Sequence, residues 1–329
     1  MKALVYTAPK ELVYRDEPDP VSAPGEAIIR VRAVGICGSD MHGVLGHDQR
    51  RPAPLILGHE AAGEVVSGDA PIGQRVCVNP LVFCKTCDMC IGGRPNLCRD
   101  RQIISILPRQ GAFAEYLNMP AENFVLVPDG ISMQRAAMAE PMACGWHLVG
   151  LAERGLFKPL DQADCLVIGG GAIGLGVALI LAARGVRNIR ISEPNALRHA
   201  AIRGAGDFQL VTPDQVAEDS ADLVVDAVGY AGTRAASCNA VRPGGMVAHI
   251  GLGDSDDGLD IRFMTLQEVQ FTGSYCFTPD EFRAAAAAIF DGSLGDFSWV
   301  ETRALADGAK AFEDLLSGKA QAPKIALQP

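Results

Sequence analysis

Aromatic residues make up only 6% of this 329-residue chain, and positive charge is outnumbered: 29 lysines and arginines stand against 39 aspartates and glutamates, a formal charge of −10 at pH 7. A surface that tracks phosphates needs clustered cations, so this balance excludes nucleic acid as a partner. The apolar run at Met1–Tyr6 is too short for a signal-peptide core and reads as a first strand. The one long uncharged run, Cys165 to Ala183, carries Gly170 and Gly174 at the spacing of a helix-dimer motif. Five glycines interrupt it where a strand would turn into a helix, and no second such run exists, so a membrane span is not expected. Internal repeats and low-complexity linkers are also missing. A cytoplasmic protein is the expectation.

A hydrophobic content of 48% with 36 glycines suits an α/β enzyme rich in tight turns. The length favours two domains. The first part shows short alternating runs such as Ala27–Arg32 and Glu64–Val66, the mark of β structure broken by loops. From Ser132 the pattern turns helical, then alternates strand and helix to about residue 276, as a doubly wound parallel sheet requires. Thr278-Pro279-Asp280-Glu281 predicts a capping box with proline at the first helical position, opening a helix through Phe290. Lys324–Leu327 reads as a closing strand. The pattern divides the chain near 138 and 276, with 139–276 as the alternating stretch and 277–329 returning to a small mixed unit.

Ten cysteines with several in ligand-like spacing point to a reducing compartment. Cys84-x2-Cys87-x2-Cys90-x7-Cys98 can wrap one tetrahedral zinc at about 2.3 Å per bond. Such a closed set leaves no position for substrate, so the site over residues 80–100 is predicted to be structural. Disulfides or a redox Cys-x-x-Cys are the competing readings; the Gly92–Asn96 turn in place of a thioredoxin-like strand and helix speaks against the second.

Gly169-Gly170-Gly171-Ala172-Ile173-Gly174 follows the apolar strand Cys165–Ile168 and opens a helix. In a dinucleotide fold Gly169 permits the turn, Gly171 lets the backbone approach the pyrophosphate, and Gly174 allows close helix packing. The next strand, Asn188–Ser192, ends in Glu193, placed to bond ribose hydroxyls and repel a 2′-phosphate. NAD is favoured over NADP, although Arg198 could receive a phosphate. Gly229 and Ile250, after two further strands, are candidates to line the cofactor crevice; plain turn positions are the alternative for such glycines. A second metal constellation pairs Cys37 with His59 and the adjacent Glu60, a thiolate and imidazole set that suits zinc with one position open. An ordinary surface His-Glu pair is the alternative.

These residues together give the chain its resemblance to the zinc-containing medium-chain alcohol dehydrogenases, most closely the polyol (sorbitol-like) and threonine branches. The resemblance covers nearly the whole length and rests on Gly35–His42, Gly58-His59-Glu60, the lobe ending Gly93–Cys98, Glu140–Ala143 and the Gly169–Gly174 turn. It implies a mostly β, GroES-like catalytic domain beside a Rossmann domain, and two zinc ions per chain. The catalytic ion would be held by Cys37 and His59, with Glu60 or Glu140 completing the shell; Cys144 is a weaker alternative ligand, better suited to a place near the nicotinamide. The resemblance also implies a proton relay from Ser39 to His42, with Asp40 orienting a neighbouring histidine or capping a helix, and assembly as a homodimer or homotetramer. The expected reaction is reversible oxidation of a small secondary alcohol, polyol or amino-acid alcohol to the ketone, zinc making the hydroxyl acidic and nicotinamide taking the hydride. The alternatives are a zinc-free quinone or enoyl reductase of the same fold, and a non-enzymatic zinc and nucleotide-binding regulator. The segment from Gly63 to Val76 looks shorter than in the family, and Arg101–Gln110 lacks the usual glycine before a strand expected at Gly111–Tyr116.

Overall fold

In the computed structural model, which describes residues 1–329, the chain builds two main sheets. Six strands form a wholly parallel sheet in the spatial order Gln209–Val211, Asn188–Ser192, Asp164–Ile168, Ala221–Asp226, Val241–His249, Gln270–Gly273. The order reverses at Asp164–Ile168, which puts a ligand crevice at the C-terminal end of that strand. The uncharged run that looks membrane-like divides here into a buried strand and the 12-residue helix Ala172–Ala183. At 1.5 Å per residue that helix is about 18 Å long, short of a bilayer core of about 30 Å. Its residues Gly174 to Leu181 are all buried, because sheet and neighbouring helix cover every side of it. No helix of the chain is long and apolar enough to cross a membrane.

The second sheet has seven strands centred on Glu26–Gly35. That strand pairs antiparallel with Glu60–Gly68, with Tyr116–Pro120 and with Lys324–Gln328. The C-terminal strand thus completes the sheet built from the first part of the chain. The helix Pro279–Phe290 forms with the Thr278/Glu281 capping box and proline in its first turn, as its sequence predicts. It buries Phe282, Ala285 and Ile289 in a core shared with the helix Ala139–Gly155. His147 on one helix meets both oxygens of Glu281 on the other at 2.9 Å.

The strand expected from Gly111 starts only at Tyr116. Residues Gly111 to Phe113 instead give their amides to Ile56, Gly58 and Leu57, and Phe113 accepts from Leu4. These bonds tie the first strand, Lys2–Ala8, to the turn before His59. A Cβ at Gly111 would come within 2.2 Å of the Leu57 carbonyl oxygen, so only glycine allows the approach.

Candidate active site and metal centres

Cys37 precedes the short helix Gly38–Val44, and Asp40 closes that helix back on itself by accepting from the Cys37 amide at 3.0 Å. The other Asp40 oxygen accepts from Gly58 N at 3.2 Å and lies 3.3 Å from His59 Nδ1. One buried carboxylate therefore caps the helix that carries Cys37 and orients the imidazole beyond it. Gly58 turns with φ +91°, where a Cβ would strike the Phe113 ring. The following strand then brings Glu60 beside His59. Donor atoms of Cys37, His59 and Glu60 all lie within 4.8 Å of one another.

Glu60 is fully buried. Its Oε1 accepts from Lys324 Nζ at 2.6 Å, and the same ammonium donates to the Ile36 carbonyl at 2.8 Å. Its Oε2 is buried with no partner. A thiol, an imidazole and a carboxylate gathered this closely, with one carboxylate oxygen left unpartnered, fit a zinc ion. Glu140, in the first turn of Ala139–Gly155, lies outside the close set of three but faces it, and its Oε1 is 3.9 Å from Cys144 Sγ. Burial first, then the Glu60 carboxylate, push Glu140 up to about 7, against the opposing charges of His59 and Lys324. Burial works to lower His59, yet the charges of Asp40 and Cys37 hold it well above its ordinary value.

Ser39 Oγ lies 3.5 Å from His59 Nε2. The buried Arg51 donates to the Ser39 carbonyl at 3.3 Å and to Asp48 at 2.5 Å, fixing the loop beyond. His42 is half-buried, makes no hydrogen bond to Ser39, and faces His47 with ring centroids 6.2 Å apart. Burial, then the neighbouring His47, lower its pKa.

The four lobe cysteines are all free of disulfides, and their sulfurs lie within 4.8 Å of one another. Cys84 Sγ accepts from the Cys87 amide at 3.3 Å. Backbone amides of Thr86 and Cys87 bring Cys84 down to about 6, whereas burial and the neighbouring sulfurs push Cys90 up to about 12. This geometry fits a closed tetrahedral ion.

At the crevice, Gly169 turns with φ +97°, and a Cβ at Gly174 would lie 1.8 Å from the Gly169 carbonyl oxygen. Both support the roles read from the sequence. Gly171 stands as N-cap of Ala172–Ala183, with Ala172 and Ile173 beginning the helix. Glu193 is buried; it accepts from Gly170 N at 2.8 Å and Asn195 N at 2.7 Å, and Arg198 Nη1 lies 3.6 Å away. Asp226, fully buried at the end of its strand, binds the amides of Val228 and Gly229 at 3.0 and 2.9 Å, and its carbonyl accepts from Ile250 and Gly251. Gly229 and Ile250 are thereby placed together across the sheet. Sequence reasoning gave no role to Lys324, Arg51 or Asp226. Their partners lie far along the chain or in backbone turns, where spacing carries no signal.

Residues 23–129 match the alcohol dehydrogenase GroES-like domain and residues 172–291 the zinc-binding dehydrogenase domain. The L-galactonate-5-dehydrogenase of Escherichia coli is 34% identical over 89% of this chain and 88% of its own. The sorbitol dehydrogenase of Bacillus subtilis is 30% identical over 88% and 87%. A crystal structure of a zinc-binding dehydrogenase from Sinorhizobium meliloti bound to NADP superposes with a TM-score of 0.88 at 25% identity, covering 100% of this chain and 99% of that one. The chain belongs to the zinc-containing medium-chain alcohol dehydrogenase family, in its polyol and threonine dehydrogenase branch.

Proposed function

We propose that the protein is an oxidoreductase that passes a hydride between NAD and the carbinol carbon of a small secondary alcohol, polyol or amino-acid alcohol, giving the ketone. One observation carries this reading: a thiol, an imidazole and a carboxylate with a free buried oxygen gathered within 4.8 Å. Cys37, His59 and either Glu60 or Glu140 would hold the catalytic zinc, and Cys84, Cys87, Cys90 and Cys98 the structural one. The bound ion would supply Lewis acidity that brings a hydroxyl pKa towards neutrality.

The chain's own residues do the rest. Asp40 fixes the His59 ring, as a carboxylate behind a histidine ligand does. Ser39 Oγ accepts the substrate hydroxyl proton as it gives up its own, which reaches His42 only through an intervening water, since no hydrogen bond joins the two side chains. Amides at the start of Ala172–Ala183, including those of Ala172 and Ile173, receive the pyrophosphate. Each Glu193 oxygen keeps a lone pair beyond its backbone bond, enough to accept from the ribose hydroxyls and to disfavour a 2′-phosphate. Arg198 beside it makes that preference for NAD moderate in size. Gly229 and Ile250 line the nicotinamide side of the crevice. The same reading divides the chain into catalytic (1–138, 277–329) and dinucleotide (139–276) domains, and takes it as a cytoplasmic homodimer or homotetramer.

The test is absorbance at the reduced-nicotinamide band with polyols, threonine and simple secondary alcohols, each with NAD and NADP. Zinc-dependent turnover, faster with NAD, is expected. Inactivity of metal-replete protein across the panel would overturn the reading and favour a binding or regulatory protein.

A further inference from the structure

Tyr275 and Cys276 follow the last parallel strand, Gln270–Gly273, and so stand at the C-terminal edge of the sheet, where open α/β sheets bind ligands. Two segments meet at Tyr275, the cysteine lobe and the loop that carries Arg50. Arg101, leaving the cysteine lobe, lies over its ring with the guanidinium carbon 4.9 Å from the centroid, and Arg101 Nε donates to the phenol oxygen at 3.4 Å. Asn96 of the lobe donates to the Tyr275 carbonyl at 2.9 Å. Arg50, next to the Arg51 that holds Ser39, is close enough for the phenol to act on its guanidinium. On the inner side, Ser105, four residues beyond Arg101, has its Oγ 3.5 Å from His59 Nδ1, and its carbonyl accepts from Arg51 Nε at 3.2 Å. This rim therefore borders the proposed zinc centre.

The two arginines differ in how their charge is met. Arg50 grips Asp48 with two bonds of 2.9 Å. Arg101 is half-buried, and its bonds go to a phenol and to the Cys98 carbonyl at 2.8 Å, neither of them charged. A guanidinium offers five N–H donors in a fixed fork, so most of this fork is left over. Taking a cation partly out of water without a counter-charge is costly. Buried or half-buried Arg51, Arg109 and Arg234 meet carboxylates, whereas half-buried Arg135 and Arg190, like Arg101, meet uncharged oxygens. The flat contact with Tyr275 also pre-sets the fork, so little freedom is lost when a ligand arrives.

We propose that Arg101, held on the face of Tyr275 and backed by Arg50, reads an anionic group on the substrate, so that the preferred substrate is a polyhydroxy acid or a phosphorylated polyol and not a neutral polyol. This rests on the dehydrogenase reading above. Carboxylate and phosphate share the chemistry that a guanidinium fork recognises, and the experiment separates them.

Initial rates are compared for three compounds with the same secondary-alcohol configuration: a neutral hexitol, the matching aldonate, and the terminal phosphate ester of the hexitol. At least one anion should exceed the neutral compound about tenfold or more in kcat/KM, the scale of a charge-assisted fork. A faster aldonate identifies a carboxylate and a faster ester a phosphate. Arg101→Gln should cut the anion-to-neutral ratio about tenfold, mainly through KM, and Arg101→Lys should recover part of it because a point charge remains. Equal rates for all three, a preference for the neutral hexitol, or an Arg101→Gln variant that keeps the wild-type ratio overturns the proposal and leaves the dehydrogenase reading standing. If none of the three is oxidised, the dehydrogenase reading is judged by the wider alcohol panel above and the anion site by binding. Calorimetric titration of wild type and Arg101→Gln with the aldonate and the ester then decides the anion site alone: binding that needs Arg101 supports it, and absent or Arg101-independent binding overturns it.

Discussion

The two metal-type centres of this chain are built in opposite ways. The cysteine lobe takes all four sulfurs from residues 84 to 98, holds three of them half-buried, and steadies Cys84 with amides from its own turn. The Cys37 centre draws on a helix start, the strand Glu60–Gly68, the helix Ala139–Gly155 and the C-terminal strand. It also buries a carboxylate against an ammonium 264 residues away. The difference teaches where each draws its stability. A local closed site needs only thiolates and the ion, whereas a buried open site needs the whole fold to balance charges that water cannot reach.

The sharpest way to break this comparison is to remove one ligand from each centre. Cys37→Ser should lower turnover by about a thousandfold or more, since Lewis-acid stabilisation is worth several kcal/mol, while about one zinc per chain remains. Cys84→Ser should release the other ion, leave the Cys37 centre loaded, and loosen the lobe. Elemental analysis beside activity checks both, and loss of both ions from either variant would show that the centres are not independent.

Lys324→Met probes the charge balance. It leaves Glu60 buried without its ammonium, and a destabilisation of about 3–5 kcal/mol is expected from urea unfolding, with metal retention at the Cys37 centre altered and the lobe unaffected. Lys324→Arg should recover part of it. A loss below about 1 kcal/mol would mean that the pair is as dispensable as a surface bridge. Glu193→Ala should weaken NAD about tenfold, the scale of a hydrogen bond to a charged group, and NADP less. Fluorescence titration with both cofactors reads this, and equal weakening would remove the ribose role.

The smallest effect is in acid. Burial works to raise Asp48, but hydrogen bonds from Arg50 and the charge of Arg51 prevail and bring it to about 2. A depressed carboxylate stabilises fully above its ordinary pKa of about 3.9 and loses that contribution as the pH falls through its folded value. The lobe must keep its sulfurs deprotonated to hold metal. Zinc release should therefore precede loosening of the loop around Asp48 in an acid titration followed with a zinc indicator and near-ultraviolet circular dichroism. The reverse order would contradict the assignment.

Much of the architecture was legible because its signals are local. The strand before Gly169, the helix after it and the Thr278 capping box lie within a few residues of their causes. The segment Gly111–Glu115 has the pattern of a strand but does not form one, because its bonding partners, near Leu4 and Leu57, are set by packing across the sheet and not by alternation. The proposed relay shows the same limit. Ser39 and His42 are three residues apart, yet Ser39 meets His59 and Arg51, because the helix start and the following loop turn it inward.

Residue spacing alone marked out the four-sulfur set and the glycine turn, since ligand number and turn geometry depend on chemistry close along the chain. Only the tertiary structure decided that Lys324 neutralises Glu60, that Asp40 serves Cys37 and His59 at once, and that Arg101 rests on Tyr275. Such pairings exist only when distant segments are brought out of water together, where each charge must find a partner or be costly to keep.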